Sequence, residues 1–161
     1  MTVKEYNELV DGFADRVFRF VLKNIRDEEK AKDLVQDAFE KVWNKREEVN
    51  PDKSKAYLFT TAYRCVIDLV RKEKKQANWD EVKQEAFSMN DNYSDLSEVL
   101  QEALAQLPLI QRSVIMLRDY EGYEYNEISD ITQLSLSQVK VYIFRARKSL
   151  KDYLVSVETV L

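Results

Sequence analysis

The chain has 161 residues, with 25 Lys and Arg against 29 Asp and Glu, one Cys, no His, two Gly and two Pro. This length suits one domain or two small ones. Without His, and with the single thiol of Cys65, the chain cannot form a Cys/His zinc site, a His-based acid–base centre, a haem pocket or an internal disulfide. Gly12 and Gly122 are too far apart for a phosphate-binding glycine loop. These absences exclude several kinds of catalytic and cofactor site, although carboxylates alone leave metal binding open.

The scarcity of Gly and Pro, with abundant Leu, Val, Glu and Lys, predicts an all-α chain. The first residues are too polar for a signal peptide, and no apolar stretch approaches the length that spans a membrane, so we expect a cytoplasmic protein. The net charge of −4 argues against nucleic-acid binding if it is spread evenly.

The charge is not spread evenly along the chain. Residues 1–75 hold 17 basic and 15 acidic side chains, residues 76–97 hold one and five, and residues 98–161 hold seven and nine. The middle segment also has weak periodicity and a cluster of Asn, Asp and Ser, which is typical of a linker. We predict two small helical modules, 1–75 and 98–161, joined by an acidic linker that has room for one short helix over residues 79–87.

Three helices are predicted in the first module. Apolar residues recur every three or four positions over residues 6–24, which indicates an amphipathic helix. Asp27 stands at the N-cap of a second helix that continues to about Glu48. Pro51 ends that pattern, because proline lacks an amide donor and restricts the residue before it. A third helix is predicted over residues 54–75.

The second module is predicted to begin with two helices. Ser94 caps the first of them, whose apolar pattern runs to Leu107. Pro108 suits the first turn of the next helix, which stops before Gly122. Two further helices, 125–133 and 137–155, are separated by a three-residue turn, and this is the helix-turn-helix arrangement.

The last helix has two different faces. Its predicted buried seam consists of Val139, Ile143, Ala146, Leu150 and Tyr153. Its other face carries Lys140, Phe144, Arg145, Arg147, Lys148 and Lys151. Between Ser137 and Lys151 there are five cations and no acid, which suits phosphate contacts and guanine recognition in the major groove. The alternative is a solvated face whose cations complement the helix dipole.

Polar stripes also mark the second and third helices. The stripe on the third helix contains Tyr57, Thr61, Arg64, Asp68, Arg71 and Lys75. Cations beside aromatic rings can hold a single strand, but Phe59 and Tyr63 as core residues beside a solvated helix end are the simpler interpretation. Cys65 is predicted to be a small core residue. The second helix presents Asp33, Gln36, Asp37, Glu40, Lys41 and Asn44, a set that by itself indicates only a solvated face.

The second helix contains AKDLVQDAFEKVW, in which an Asp-Leu-Val-Gln run precedes an apolar-aromatic stripe that ends in Trp. This segment resembles region 2.2 of the extracytoplasmic-function (ECF) group of bacterial sigma factors. The third contains AYLFTTAYRCVIDLVRKEKK, similar to regions 2.3 and 2.4. The second module is similar to region 4 in its Leu-Pro, its Glu-Gly and Glu-Ile, and its final Phe-Arg-Ala-Arg, all in register. The resemblance covers nearly the whole chain outside the linker and the extreme termini.

The resemblance implies a transcription initiation factor that binds RNA polymerase core and opens promoters. It also implies no enzyme activity, no catalytic residue and no cofactor for this chain. Residues 1–75 would be region 2 and residues 98–161 region 4, with contacts to the β′ clamp helices and the β flap. The residues implied for the β′ clamp helices are Asp33, Gln36, Asp37, Glu40 and Lys41, with Phe39 and Trp43 packing.

Promoter contacts are implied for both modules, along with a second protein partner. For the −10 element they are Tyr57, Arg64, Arg71, Lys72 and Lys75, together with the loop 49–56. For the −35 element they are Ser137, Gln138, Lys140, Val141, Phe144, Arg145 and Lys148, with Arg147 or Lys148 on phosphates. A membrane-anchored anti-sigma protein is implied as the regulator of both modules.

Two positions differ from the family pattern. Tyr63-Arg64 stands where many members carry Asn after Ala-Arg, which changes the contact to the melted strand. Val141-Tyr142 replaces a pair that is often Ser-Arg. Because Val141 can touch a thymine methyl but cannot bind guanine, we predict a −35 preference unlike that of members with Ser.

Two other functions fit parts of the sequence. A helix-turn-helix regulator that binds duplex DNA without polymerase would leave AKDLVQDAFEKVW unexplained. A helical enzyme or adaptor could bind a metal through Asp33, Asp37 and Glu40, which share a helix face. No second helix supplies a matching Glu-x-x-His motif, since the chain has no His.

Overall fold

The computed structural model describes residues 1–77 and 95–160, with side chains over 1–76 and 98–156. The described residues form two compact helical units, one on each side of the intervening segment. Within these ranges the secondary structure is helical and contains no strand, so the predicted all-α fold is confirmed. Most of the predicted linker, including the helix over 79–87 and the Ser94 cap, lies outside the described residues.

Unit 1 is a bundle of three long helices and one short turn. They are α1 (Val3–Ile25), α2 (Glu28–Asn44), a 3₁₀ turn (Pro51–Lys53) and α3 (Ser54–Ala77). Each of the three α-helices packs against the other two. At the centre the rings of Phe20 and Phe59 meet edge to face, with centroids 5.6 Å apart, an arrangement that aromatic pairs favour. The unit therefore buries one stripe from each helix and leaves the opposite faces in solvent.

Local hydrogen bonds set where α1 and α2 begin. Thr2 Oγ1 accepts from the Glu5 amide at 3.1 Å while Glu5 Oε1 accepts from the Thr2 amide at 2.9 Å, which is a capping box. The predicted N-cap at Asp27 is confirmed, since its carboxylate accepts from the Lys30 amide at 3.1 Å. These side chains satisfy amides that have no partner inside the helix.

The end of α2 differs from the prediction. The helix ends at Asn44, and the predicted end at Glu48 is wrong. The Arg46 guanidinium donates to the Trp43 carbonyl at 3.0 Å and lies 3.9 Å from the Trp43 ring centroid. Val49 is buried in the turn that follows. Burial of this valine and the Arg46 contacts favour a turn here over a further helical turn.

Unit 2 contains four α-helices around a second core. They are α4 (Asp95–Gln106), α5 (Leu109–Ile115), α6 (Tyr125–Thr132) and α7 (Leu136–Val160), and α5 continues as a π-helical turn over Met116–Tyr120. Helix α7 packs against α4, α5 and α6. It therefore supplies a stripe of the core against which the other three helices are held.

The π-helical turn was not predicted from the sequence. In it the Glu121 amide donates to the Met116 carbonyl at 3.0 Å, five residues back. Gly122 then adopts a φ of 74°, and its amide donates to the Arg118 carbonyl at 3.1 Å. Glycine adopts this left-handed conformation without steric cost, so it ends the helix as expected.

The helix-turn-helix is confirmed, with its turn one residue earlier than predicted. Gln133 is left-handed, with a φ of 62°, and ends α6. Ser135 Oγ accepts from the Gln138 amide at 3.1 Å, and Gln138 Oε1 accepts from the Ser135 amide at 2.9 Å. This capping box starts α7 at Leu136, whereas the sequence pattern placed the start at Ser137.

Two phenylalanines provide a matched test of the core. Phe59→Ala removes a ring with no exposed surface, whereas Phe144 is 69% exposed. We expect Phe59→Ala to lower the free energy of unfolding by about 3–5 kcal/mol because it leaves a cavity. Phe144→Ala should change it by less than about 0.5 kcal/mol. Urea unfolding followed by circular dichroism measures both, and equal effects would contradict this description of the core.

Candidate functional site

The outer face of α7 is cationic with an apolar centre. All residues predicted for the −35 element are exposed: Ser137, Gln138, Lys140, Val141, Phe144, Arg145 and Lys148. On the opposite side Val139, Ile143 and Ala146 are at most 2% exposed, while Leu150 and Tyr153 are half-buried. The core therefore fixes which face of α7 is presented to solvent.

Phe144 and Val141 distinguish this face from an ordinary solvated surface. Phe144 is 69% exposed and Val141 is 44% exposed, one helical turn apart. Lys140, Arg145 and Lys148 lie around them. An exposed aromatic ring inside a cationic surface contributes nothing to the core, and it suits the base edges and sugars of a DNA groove.

Two members of this face already make local contacts. The side-chain oxygen Oε1 of Gln138 belongs to the capping box of α7. DNA recognition through Gln138 would therefore use its side-chain nitrogen Nε2. The Arg145 guanidinium lies 6.0 Å from the Tyr142 ring centroid. Tyr142 itself is half-buried, which places Arg145 at the edge of the cationic face.

Arg147 is engaged within unit 2. Its Nη2 donates to Asp119 Oδ1 at 2.7 Å. The pKa of Arg147 is raised above its ordinary value first by this hydrogen bond, and the nearby Tyr125 acts in the same direction. The Arg118 guanidinium lies 4.9 Å from the ring centroid of the same tyrosine and donates to the Tyr123 carbonyl at 2.8 Å. Arg147 thus differs from the other cations of α7.

The polar stripe of α3 presents its cations to solvent, while two aromatic residues beside it are buried. Tyr57 is 36% exposed, and Arg64, Arg71, Lys72 and Lys75 are also exposed. Phe59 and Tyr63 are buried, so the prediction that they belong to the core is confirmed. Burial raises the pKa of Tyr63, and the nearby Arg71 acts in the opposite direction. Tyr57 is the exposed ring of this stripe.

The outer face of α2 is fully presented to solvent. Its exposed residues are Asp33, Gln36, Asp37, Glu40 and Lys41. Lys41 Nζ lies 3.6 Å from Cys65 Sγ. Cys65 is half-buried beneath this lysine, so its assignment to the core was wrong. With three acids and one lysine, the face is acidic overall.

A groove between α1 and α2 adjoins this face. The part of its lining that α1 supplies was not predicted from the sequence. The Tyr6 hydroxyl donates to the Phe39 carbonyl at 3.1 Å, and the Tyr6 ring meets Trp43 edge to face at 4.8 Å. The groove is lined by Tyr6, Asn7, Val10, Gln36, Phe39, Glu40 and Trp43. Phe39 and Trp43 are half-buried, so both pack and line the groove. The sequence signal that could have indicated this groove is Asn7, a polar residue that lies between the apolar residues of α1.

The carboxylates of α2 do not form a metal site. Over residues 1–77 and 95–160, no three His, Cys, Asp or Glu side chains converge as metal ligands would. Asp33, Asp37 and Glu40 lie along one face of a single helix, and hard cations need oxygen ligands gathered around one point. The alternative of a metal-binding helical enzyme has no support in this geometry.

Over residues 1–77 and 95–160, no helix is sufficiently long and apolar for a membrane span.

Comparisons with known proteins match both units. Residues 9–76 match the family model for sigma-70 region 2, and residues 97–150 match sigma-70 region 4. The RNA polymerase sigma factor SigV of Bacillus subtilis is 31% identical over 137 residues, which cover 83% of this chain and 81% of SigV. The ECF sigma factor SigM of the same organism is 30% identical over 150 residues, 90% of this chain and 92% of SigM.

A solved structure has the same fold. The sigma factor RpoE of Bartonella quintana, crystallised in complex with the anti-sigma factor NepR, superimposes with a TM-score of 0.84 at 26% identity. The match covers 94% of this chain and 98% of that one. The chain contains both family regions in order, and its relatives are similar to it over most of their length. It therefore belongs to the ECF group of the sigma-70 family, the RNA polymerase sigma factors that direct transcription initiation.

Proposed function

We propose that this sigma factor divides promoter opening and promoter recognition between its two units, and that it has no catalytic activity of its own. Unit 1 binds the β′ clamp helices through the outer face of α2 and captures the −10 element with α3. Unit 2 reads the −35 element through α7 and contacts the β flap. The observation that carries the proposal is the exposed cationic face of α7, with Phe144 at its centre and the core seam directly behind it.

The charge of the α2 face supports a basic partner surface. Asp33, Asp37 and Glu40 are exposed along two turns of one helix, and their side chains make no contribution to the core of unit 1. Complementary charge steers association and fixes the register of an interface. The adjoining groove, with Trp43 and Phe39 in its lining, offers apolar area beside these acids. An amphipathic basic helix of the polymerase fits both features.

The α3 stripe supports capture of a melted strand. Arg64, Arg71, Lys72 and Lys75 are exposed over three turns and can follow successive phosphates of one strand. Tyr57 lies at the start of the stripe, next to the loop that precedes α3. Extruding a base costs a few kcal/mol, and a ring at this position can offset part of that cost by stacking. The strand would therefore run along α3 from Tyr57 toward Lys75.

A regulatory partner and a location complete the proposal. The sigma factor RpoE of Bartonella quintana is bound to an anti-sigma factor in its crystal. By analogy, an anti-sigma protein would cover the exposed faces of α2 and α7 and so prevent polymerase and promoter binding. We propose that this partner of our chain is anchored in the membrane. The protein would act in the cytoplasm, since both the polymerase and the chromosome lie there.

Transcription initiation is tested directly by run-off transcription. We expect bacterial core polymerase with this protein to initiate at a new start site on a promoter selected from the source genome, because core alone does not select promoters. Core polymerase without the protein is the control. Absence of a new start site on every selected promoter would refute the proposal. Tight specific binding of duplex DNA by the free protein in a gel shift would instead favour the polymerase-independent regulator.

The α2 face is tested by charge reversal at two matched positions. Asp33→Lys places a cation against the proposed basic partner, and like charges at an interface cost several kcal/mol, so affinity for core polymerase should fall by at least about tenfold. Asp15→Lys makes the same change at an exposed position of α1 and should have little effect. Fluorescence titration with core polymerase measures both affinities. Equal losses would show that only net charge matters, and circular dichroism should show both variants folded.

Base recognition by α7 is tested by comparing two of its cations. Arg145→Ala should cost about 1–3 kcal/mol at one base pair of the −35 element and relax specificity there, if its guanidinium contacts a base. Lys148→Ala should weaken binding by a similar factor on every sequence, as expected for a phosphate contact. Holoenzyme affinities for a set of single-base variants of the −35 element measure both. A uniform loss for Arg145→Ala would contradict its assignment.

A further inference from the structure

Arg147 occupies a flank of α7, between the exposed face and the buried seam. At about 100° per residue, it lies about 60° around the helix from Phe144 and about 40° from Ile143. Phe144 is 69% exposed and Ile143 is 2% exposed. Arg147 is therefore close enough to the core to contact neighbouring segments, and the sequence pattern alone counted it with the DNA-facing cations.

The π-helical turn contacts Arg147 directly. The Arg147 guanidinium donates to Asp119 in that turn at 2.7 Å. One planar group thus joins the π-helical turn to the middle of α7. Arginine suits such a role because its donors are arranged in a rigid fork.

The cluster around Tyr125 is neutral overall. Arg118 lies against the ring of Tyr125, with its guanidinium carbon 4.9 Å from the centroid. Its Nη1 lies 4.0 Å from Glu124 Oε2. Two arginines are thus balanced by Asp119 and Glu124. A cation that is compensated at 2.7 Å within its own unit attracts a phosphate less strongly than an uncompensated one.

We propose that Arg147 is a positioning residue: it links α7 to the π-helical turn, and so sets the orientation in which α7 enters the −35 element, without contacting phosphate itself. This inference rests on the proposed function of α7. Asp119, which no sequence pattern singled out, is its partner in the same role.

The Asp119→Asn variant separates this role from a phosphate contact, because the two predict opposite signs. A phosphate contact would become stronger in Asp119→Asn, since an acid is lost beside the DNA and the guanidinium is released toward it. A positioning residue loses its anchor, so the affinity of the holoenzyme for its promoter should fall by roughly two- to fivefold, the range of an exposed ion pair. Fluorescence anisotropy with a labelled promoter fragment measures the sign.

Two substitutions of Arg147 provide an independent readout. A phosphate contact contributes about 0.9 to the slope of log affinity against log salt concentration. Arg147→Gln should weaken binding while leaving that slope unchanged, whereas Lys148→Gln, the control, should lower the slope by about 0.9. Arg147→Lys should remain weakened, because an ammonium cannot reproduce the planar fork with which the guanidinium binds Asp119, whereas a phosphate contact would tolerate lysine.

The double variant Asp119→Asn/Arg147→Gln should bind no more weakly than Arg147→Gln alone, because both changes remove the same link. Stronger binding by Asp119→Asn, a lowered salt slope in Arg147→Gln, or unchanged affinity in both would overturn the inference. If the wild-type holoenzyme selected no promoter at all, the proposed function would fail first. Coupling between the two substitutions in thermal unfolding of the full chain would still report whether the pair links these elements.

Discussion

Helices α2 and α7 each bury only one stripe, and that constraint decides which of their residues are left for partners. In α7 the stripe is Val139, Ile143 and Ala146, all at most 2% exposed. In α2 it is Ala31, Leu34, Ala38 and their neighbours. Once these residues are packed, the rotation of each helix about its axis is fixed, because turning it would expose the same apolar area to water. The opposite faces are therefore presented with a defined orientation.

The same constraint explains how an acidic protein can bind DNA. The net charge of −4 is an average over helix faces with different local charges. Acids occupy the outer face of α2, whereas the cations of α7 and α3 are gathered on their own exposed faces. Salt screens exposed charges from one another over distances beyond about 8–10 Å. Each surface then acts with its own local charge, and the low total charge limits binding to random DNA.

The structural features predicted correctly from the sequence are those that depend on apolar periodicity and on residues at helix ends. Helix existence, the Asp27 cap, the helix-turn-helix and the buried seam of α7 all follow from the spacing of apolar residues and from local side-chain hydrogen bonds. The end of α2 was placed too late because Arg46 and Val49 act through contacts that a helical pattern does not show. The π-helical turn was missed for a related reason: the residues of Met116–Tyr120 are ordinary helix formers, and the widened turn is defined by backbone bonds to Glu121 and Gly122.

The candidate sites were predictable from the sequence to a similar degree. Arg147 is an example of a residue whose contacts the sequence could not predict. Its place on α7 follows from counting residues, but its partner is 28 positions earlier in the chain, and no local pattern connects the two. A run of five cations therefore overstates the charge that unit 2 offers to DNA, since Asp119 compensates one of them within the fold. Charge patterns identify which face a helix presents, whereas the share of that charge available to a ligand depends on long-range contacts. For a sigma factor this distinction matters, because a modest cationic surface leaves promoter affinity dependent on the polymerase that carries it.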